Sequence, residues 1–140
     1  MKRSPVDETL LAAVRAVTGM SVRAATEAGN LSTVQLRALT LLQGMGAANL
    51  VGLAAAMGIT VSTASRMVDR LVAAGWVTRA PSPVNRREVA LSLTREGRRV
   101  LDHYDDLRLA AVHACLGVVE AHTQHALLDA LRSVLAAADG

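Results

Sequence analysis

Arg86 and Arg87 stand side by side in the stretch PSPVNRREVALSLT, residues 81–94. Adjacent guanidinium groups are built to hold anions. Each keeps its charge and presents a fixed fork of N–H donors that matches phosphate or carboxylate oxygens. Pro81 and Pro83 narrow the freedom of the chain just before the pair. A solvated surface turn has much the same composition, so the stretch does not decide its own role. A second polar set lies upstream, where Val61, Ser62, Thr63, Ser65 and Arg66 fall within VSTASRMVDR. These are small donors and acceptors with one more fork, a mixture suited to a polar, anionic surface.

Charge points the same way. Residues 60–99 carry eight Lys and Arg against three Asp and Glu, whereas residues 100–140 carry two against six. A basic block in the middle of a small chain is the electrostatic footprint of a polyanion partner.

The elements that must position these residues can be read from caps and periodicity. The chain has 140 residues, enough for one domain with a real core. Apolar residues make up 51%, yet the aromatics are only Trp76 and Tyr104, so Leu, Val and Ala do the packing, which suits helices. Ser4 and Pro5 start a first helix, with Leu10, Val14 and Val17 at helical spacing and a stop at Gly29-Asn30. Ser32 and Gln35 have capping-box spacing and open a second helix, which ends at Gly44. Asn49 caps a short helix, Leu50 to Met57, closed by Gly58. Thr60 caps the next, which runs to about Ala74 with Ala64, Met67, Val68 and Leu71 on its apolar face. Two strand-like runs follow, Trp76–Ala80 and Glu88–Thr94, the second anchored by Val89, Leu91 and Leu93. A long helix starts at Thr94 and Glu96. It carries an apolar stripe from Val100 and Leu101 through Tyr104, Leu107 and Ala111 to Cys115 and Val118. After a break around Glu120–Thr123, a last helix holds Leu127, Leu128, Leu131, Val134 and Leu135. Long apolar-striped helices at both ends of a small middle lobe imply a partner copy, a homodimer.

Residues 50–71, LVGLAAAMGITVSTASRMVDRL, have the helix-turn-helix layout. Ala54 and Ala64 let the two helices cross closely, and Gly58 supplies the turn. The second helix would enter a major groove with Val61, Ser62, Thr63, Ser65 and Arg66 nearest the base edges. Arginine forks onto guanine, hydroxyls bond bases or phosphates, and an apolar side chain meets a thymine methyl. With the following hairpin, the motif becomes a winged helix. Its wing carries Arg86 and Arg87 toward a minor groove or its phosphates.

From LSTVQLRALTLL (31–42) through LAAAMGITVSTASRMVDRLVAAGWVTRAPSPVNRREVALSLTREGRRVL (53–101), the chain resembles the MarR family of transcriptional regulators. The resemblance implies a mostly α fold with a small β-hairpin wing. A winged helix-turn-helix lobe at 31–100 would be flanked by dimerisation helices at 1–30 and 101–140, all within one domain. It implies a repressor, less often an activator, that binds double-stranded DNA as a homodimer on a palindromic operator, with release by small molecules or oxidants. The family's recognition positions fall on Ser62, Thr63, Ser65 and Arg66, and its basic wing positions on Arg86 and Arg87. At Asn85 the family's usual wing motif has Asp. A neutral amide is a weaker anchor, so the resemblance implies looser arginines here. The expected effector cleft lies between the dimer helices and the winged lobe. It would be lined by the first two helices and the start of the long one, with little aromatic surface.

Other readings carry less. Cys115 sits on the apolar stripe with no Lys or Arg beside it and reads as packing. His122 and His125 could share a helix face, but no Cys/His cluster completes a metal site. No phosphate loop, nucleophile elbow or zinc-protease pair marks an enzyme, and no cofactor is implied. The lone cysteine excludes an internal disulfide and fits a reducing, cytoplasmic setting, and no signal peptide or membrane span is read. Two competing classes remain. A winged helix can serve as a protein-interaction module, or it can bind DNA without sequence preference.

Overall fold

The computed structural model describes residues 2–138. Six helices and three short strands follow in the order α1 (Pro5–Gly29), α2 (Thr33–Gly44), β1 (Ala48–Asn49), α3 (Leu50–Met57), α4 (Val61–Ala73), β2 (Val77–Pro81), β3 (Val89–Leu93), α5 (Arg95–Leu116) and α6 (Ala121–Ala138).

Local chemistry sets the helix starts. Ser4, Ser32, Asn49, Thr60 and Thr94 each accept the backbone N–H three residues on, at 3.1, 3.1, 2.7, 3.2 and 2.9 Å. An N-cap satisfies one of the orphan donors that every helix start leaves open. At α1 the box is reciprocal, with the Ser4 N–H donating to Asp7 at 2.8 Å. The backbone N–H and then the hydroxyl of Ser4 hold the Asp7 carboxyl below its ordinary value. This cap is therefore present at neutral pH and is lost as pH falls through that lowered value. Asn30 and Gly58 close α1 and α3 in the left-handed region, at φ 54° and 66°.

The middle of the chain supplies the core. Leu39, Leu53, Val68, Leu71 and Val77 are fully buried, drawn from α2, α3, α4 and β2. Leu91, Leu93, Leu101 and Tyr104 extend the cluster through β3 into α5, and α1 joins it with Ala24 and Ala25. The strands form one antiparallel sheet in the order β1-β3-β2, with Arg79 opposite Leu91 and Ala48 opposite the same residue on the other side. The expected hairpin is thus one part of a three-stranded sheet. β1 is only two residues long, and its pairing residues lie some forty positions away, so no local pattern announces it. Pro81 ends an edge strand, where its missing N–H costs the ladder nothing.

Gly97 shows how tightly α5 seats on the sheet. A Cβ there would overlap the Trp76 backbone carbonyl oxygen. That oxygen already accepts the Thr94 N–H at 2.9 Å, and Thr94 Oγ1 donates to the Gly75 carbonyl. Backbone cannot retreat as a flexible side chain can. Gly97→Ala should lower stability by about 1–3 kcal/mol, the range for overpacking a filled site. A denaturant titration checks this, and an unshifted midpoint contradicts it.

Three expectations change. Val89 is exposed, so Leu91 and Leu93 alone anchor the returning strand. The α5 stripe is covered only in its first half. Leu101 and Tyr104 are buried, but Cys115 and Val118 are exposed, with nothing among the described residues to cover them. Cys115 is therefore not core packing within one chain. The break before α6 falls at 117–120, slightly earlier than its expected position. α1 packs along α5, while α6 has no buried residue at all. Among the described residues, no single helix is long and apolar enough to cross a membrane.

Candidate nucleic-acid interface

α3 and α4 meet at 108° across a three-residue turn. That angle lies within the helix-turn-helix range of about 90–120°. The close crossing depends on Ala54 and Ala64, which are 2% and 0% exposed. The apolar stripe of α4 is Ala64, Met67, Val68 and Leu71, all buried, so its opposite face is turned outward. On that face Val61, Ser62, Thr63 and Arg66 are exposed and Ser65 is half-buried. Thr60 Oγ1 donates to Thr63 Oγ1 at 2.9 Å. The Thr63 proton is left free to donate outward.

The loop between β2 and β3 brings Arg86 and Arg87 to an exposed tip. Its form is set by backbone bonds. The Ser82 N–H donates to the Glu88 carbonyl at 2.8 Å, and the Glu88 N–H donates to the Asn85 carbonyl at 3.0 Å. Ser82 Oγ accepts from the Val84 N–H at 3.3 Å, and Asn85 Oδ1 accepts from the Arg87 N–H at 3.1 Å. Asn85 therefore does fix the loop, through an oxygen that an amide supplies as well as a carboxylate does. What the neutral residue lacks is charge next to the arginines. Among the described residues, neither Arg86 nor Arg87 makes an ion pair.

The match to known proteins covers this region. The MarR family model matches residues 31–89. The crystal structure of RV1404 from Mycobacterium tuberculosis is 31% identical and superposes with a TM-score of 0.87, over 98% of this chain and 96% of that one. The chain belongs to the MarR family of transcriptional regulators. Multiple antibiotic resistance protein MarR of Salmonella typhimurium is 27% identical over 73 residues, 52% of this chain and 51% of that protein. The chain thus spans about half the length of the curated relatives it matches. A mutant of MepR from S. aureus, bound to an oligodeoxyribonucleotide, shares the fold. Its TM-score is 0.78 at 12% identity, over 96% of this chain and 99% of that one.

Two features of this MarR family lobe escaped the sequence reading. The first is a clamp between wing and helix. Arg79 Nη2 lies 2.9 Å from Asp69 Oδ1 and 3.2 Å from the Ser65 carbonyl oxygen, with Ser65 Oγ more distant at 3.5 Å. One nitrogen has two protons, so the carboxylate and the carbonyl are the bonds that count. Both partners are partly exposed, and such pairs add little stability. Their effect is positional, because they tie the first wing strand to the outward face of α4. Arg79 shares strand parity with the buried Val77, which is the sequence signal that turns it back toward the helix. The second feature is Arg70, which shares a cleft with Arg66.

A cleft opens beside the first two helices and the start of the long one. About 510 Å3 of space opens between α1, α2 and α5, lined among others by Val22, Leu36, Arg37, Tyr104 and Arg108. Its one aromatic ring is Tyr104, with the Arg108 guanidinium 4.9 Å above the ring centre. Among the described residues, no group of three or more His, Cys, Asp or Glu converges as a metal site.

Proposed function

We propose that the chain represses transcription by binding a palindromic DNA operator as a homodimer, and that a small-molecule effector releases it. One observation carries the DNA reading: Arg66 and Arg70 on the outer face of α4 and Arg86 and Arg87 at the wing tip are exposed and, among the described residues, make no ion pair. Exposed guanidinium groups beside small hydroxyls match the phosphates and base edges of a duplex. Val61, Ser62, Thr63, Ser65 and Arg66 meet the major groove, and Arg86 and Arg87 meet the adjacent minor groove or its backbone. The 31–100 lobe does the binding.

The dimer reading rests on apolar surface. Leu10 and Val14 of α1, Leu109 of α5 and Leu127, Leu128, Leu131, Val134 and Leu135 of α6 are all exposed. Apolar surface of this extent marks an interface, and a second copy of the same helices would cover it. The α1, α5 and α6 helices form that interface. It sets two α4 helices about 34 Å apart, one turn of the duplex. The cleft beside it, with Arg37 and Arg108 on its wall, suits a small organic anion as effector.

The wing gives the first test. The Arg86→Ala, Arg87→Ala double variant should bind DNA more weakly, and its affinity should fall less steeply with salt. The loss in slope is about 0.9 for each phosphate contact removed. An unchanged slope returns the loop to a solvated turn.

A further inference from the structure

α4 sorts its charges. Arg66, Asp69 and Arg70 lie within five positions, so Asp69 could pair with Arg66 across one turn. It does not. Asp69 turns toward β2 and pairs with Arg79 at 2.9 Å. Arg66 and Arg70 are left together on one wall of an open cleft of about 630 Å3. Ser32 at the N-cap of α2 and Val34 and Gln35 of α2 line it as well, with Thr63 and Met67 of α4. Among the described residues, no ion pair reaches either arginine. Two like charges four residues apart repel, and neither is offset. An anion between them turns that repulsion into two charge-assisted contacts.

The geometry points to this α2–α4 cleft as the seat of a backbone phosphodiester of DNA, held by Arg70 together with Arg66. The inference rests on the proposed DNA binding and assigns work within it. Arg70 becomes a binding residue. Arg66 moves from reading a guanine to holding the backbone, because it lines the same cleft as Arg70. Base reading then falls to Val61, Ser62, Thr63 and Ser65. The open cleft suits a phosphate carried on a strand that passes across it. The acid that would compete for the arginines is already engaged by Arg79.

Full-length wild type, Arg70→Ala, Arg66→Ala and Arg70→Lys are titrated with a selected duplex and a random one across a salt series. Arg70→Ala and Arg66→Ala should each weaken both duplexes by the same factor, on the order of ten-fold, and flatten the salt slope by about one per protomer. Arg70→Lys should keep most of the slope, since it keeps the charge. A scan of single neutral methylphosphonates should find one position per half-site that weakens wild type and leaves Arg70→Ala indifferent. Matching circular dichroism melts show that the variants fold. If wild type binds no duplex at all, the DNA reading itself fails. If wild type binds and Arg70→Ala matches it in slope and affinity, only the seat is wrong. A change of preference at one base pair would also overturn it, by making the residue a base reader. So would inorganic phosphate raising the melting temperature of wild type alone while the DNA slope stays fixed, because the cleft would then serve a small anion.

Discussion

Aspartate at both Leu128 and Leu131 should leave the chain monomeric and weaken its hold on a dyad-symmetric duplex by roughly 10²–10⁴-fold. Both side chains are exposed on α6, which contributes nothing to the core of its own chain. The substitution therefore spares the fold of the protomer and acts on its partner. Two buried carboxylates facing their symmetry mates are charges without a counter-ion, which an apolar interface does not tolerate. A dimer engages two half-sites, so the second contact is effectively intramolecular, and a monomer loses that advantage. Sedimentation velocity reads the oligomeric state, and a binding titration reads the affinity. A variant that remains dimeric with unaltered affinity would place the interface elsewhere.

Leu71→Ala carries the largest expected cost to folding, about 2–5 kcal/mol. Leu71 is 0% exposed and lies in the cluster that joins α2, α3, α4 and the sheet. Removing its side chain leaves a cavity directly beneath the outward face of α4. Domains of this size are held by only about 5–15 kcal/mol, so the loss takes a large share. Ser62→Ala, about two and a half turns of helix from Leu71 and on the exposed face, should stay within about 0.5 kcal/mol of wild type. Chemical denaturation separates the two. A Leu71→Ala cost below about 1 kcal/mol would mean that the core closes over the gap and that α4 is not fixed as described.

Much of the fold was legible because its signals are local. Ser4, Ser32, Asn49, Thr60 and Thr94 identify five helix starts, and each bond spans only three residues. The buried face of α4 follows from spacing alone, and that fixes which residues point outward. The parts that stayed hidden depend on distant chain. β1 exists only because Leu91 and Ala90 lie across from it. The Asp69–Arg79 pair joins two elements whose approach no window of sequence reveals. Arg70 looks like one more solvated charge until α2 is placed opposite it. Cys115 and Val118 continue an apolar stripe, yet periodicity does not say whether the cover comes from the same chain. Asn85 was readable as a departure from the family's motif. Its bond to the Arg87 N–H was not, because a turn bond depends on loop geometry as well as residue type.

In the proposed mode, two copies of this chain read a symmetric DNA sequence through α4 and the wing. Selection of bound sites from random double-stranded DNA by the full chain tests it most directly. The expected result is an enriched site with dyad symmetry, its half-sites centred about 34 Å apart, bound more tightly than random duplex at the same salt. Recovery of no common site, or equal binding of selected and random duplexes, would contradict it.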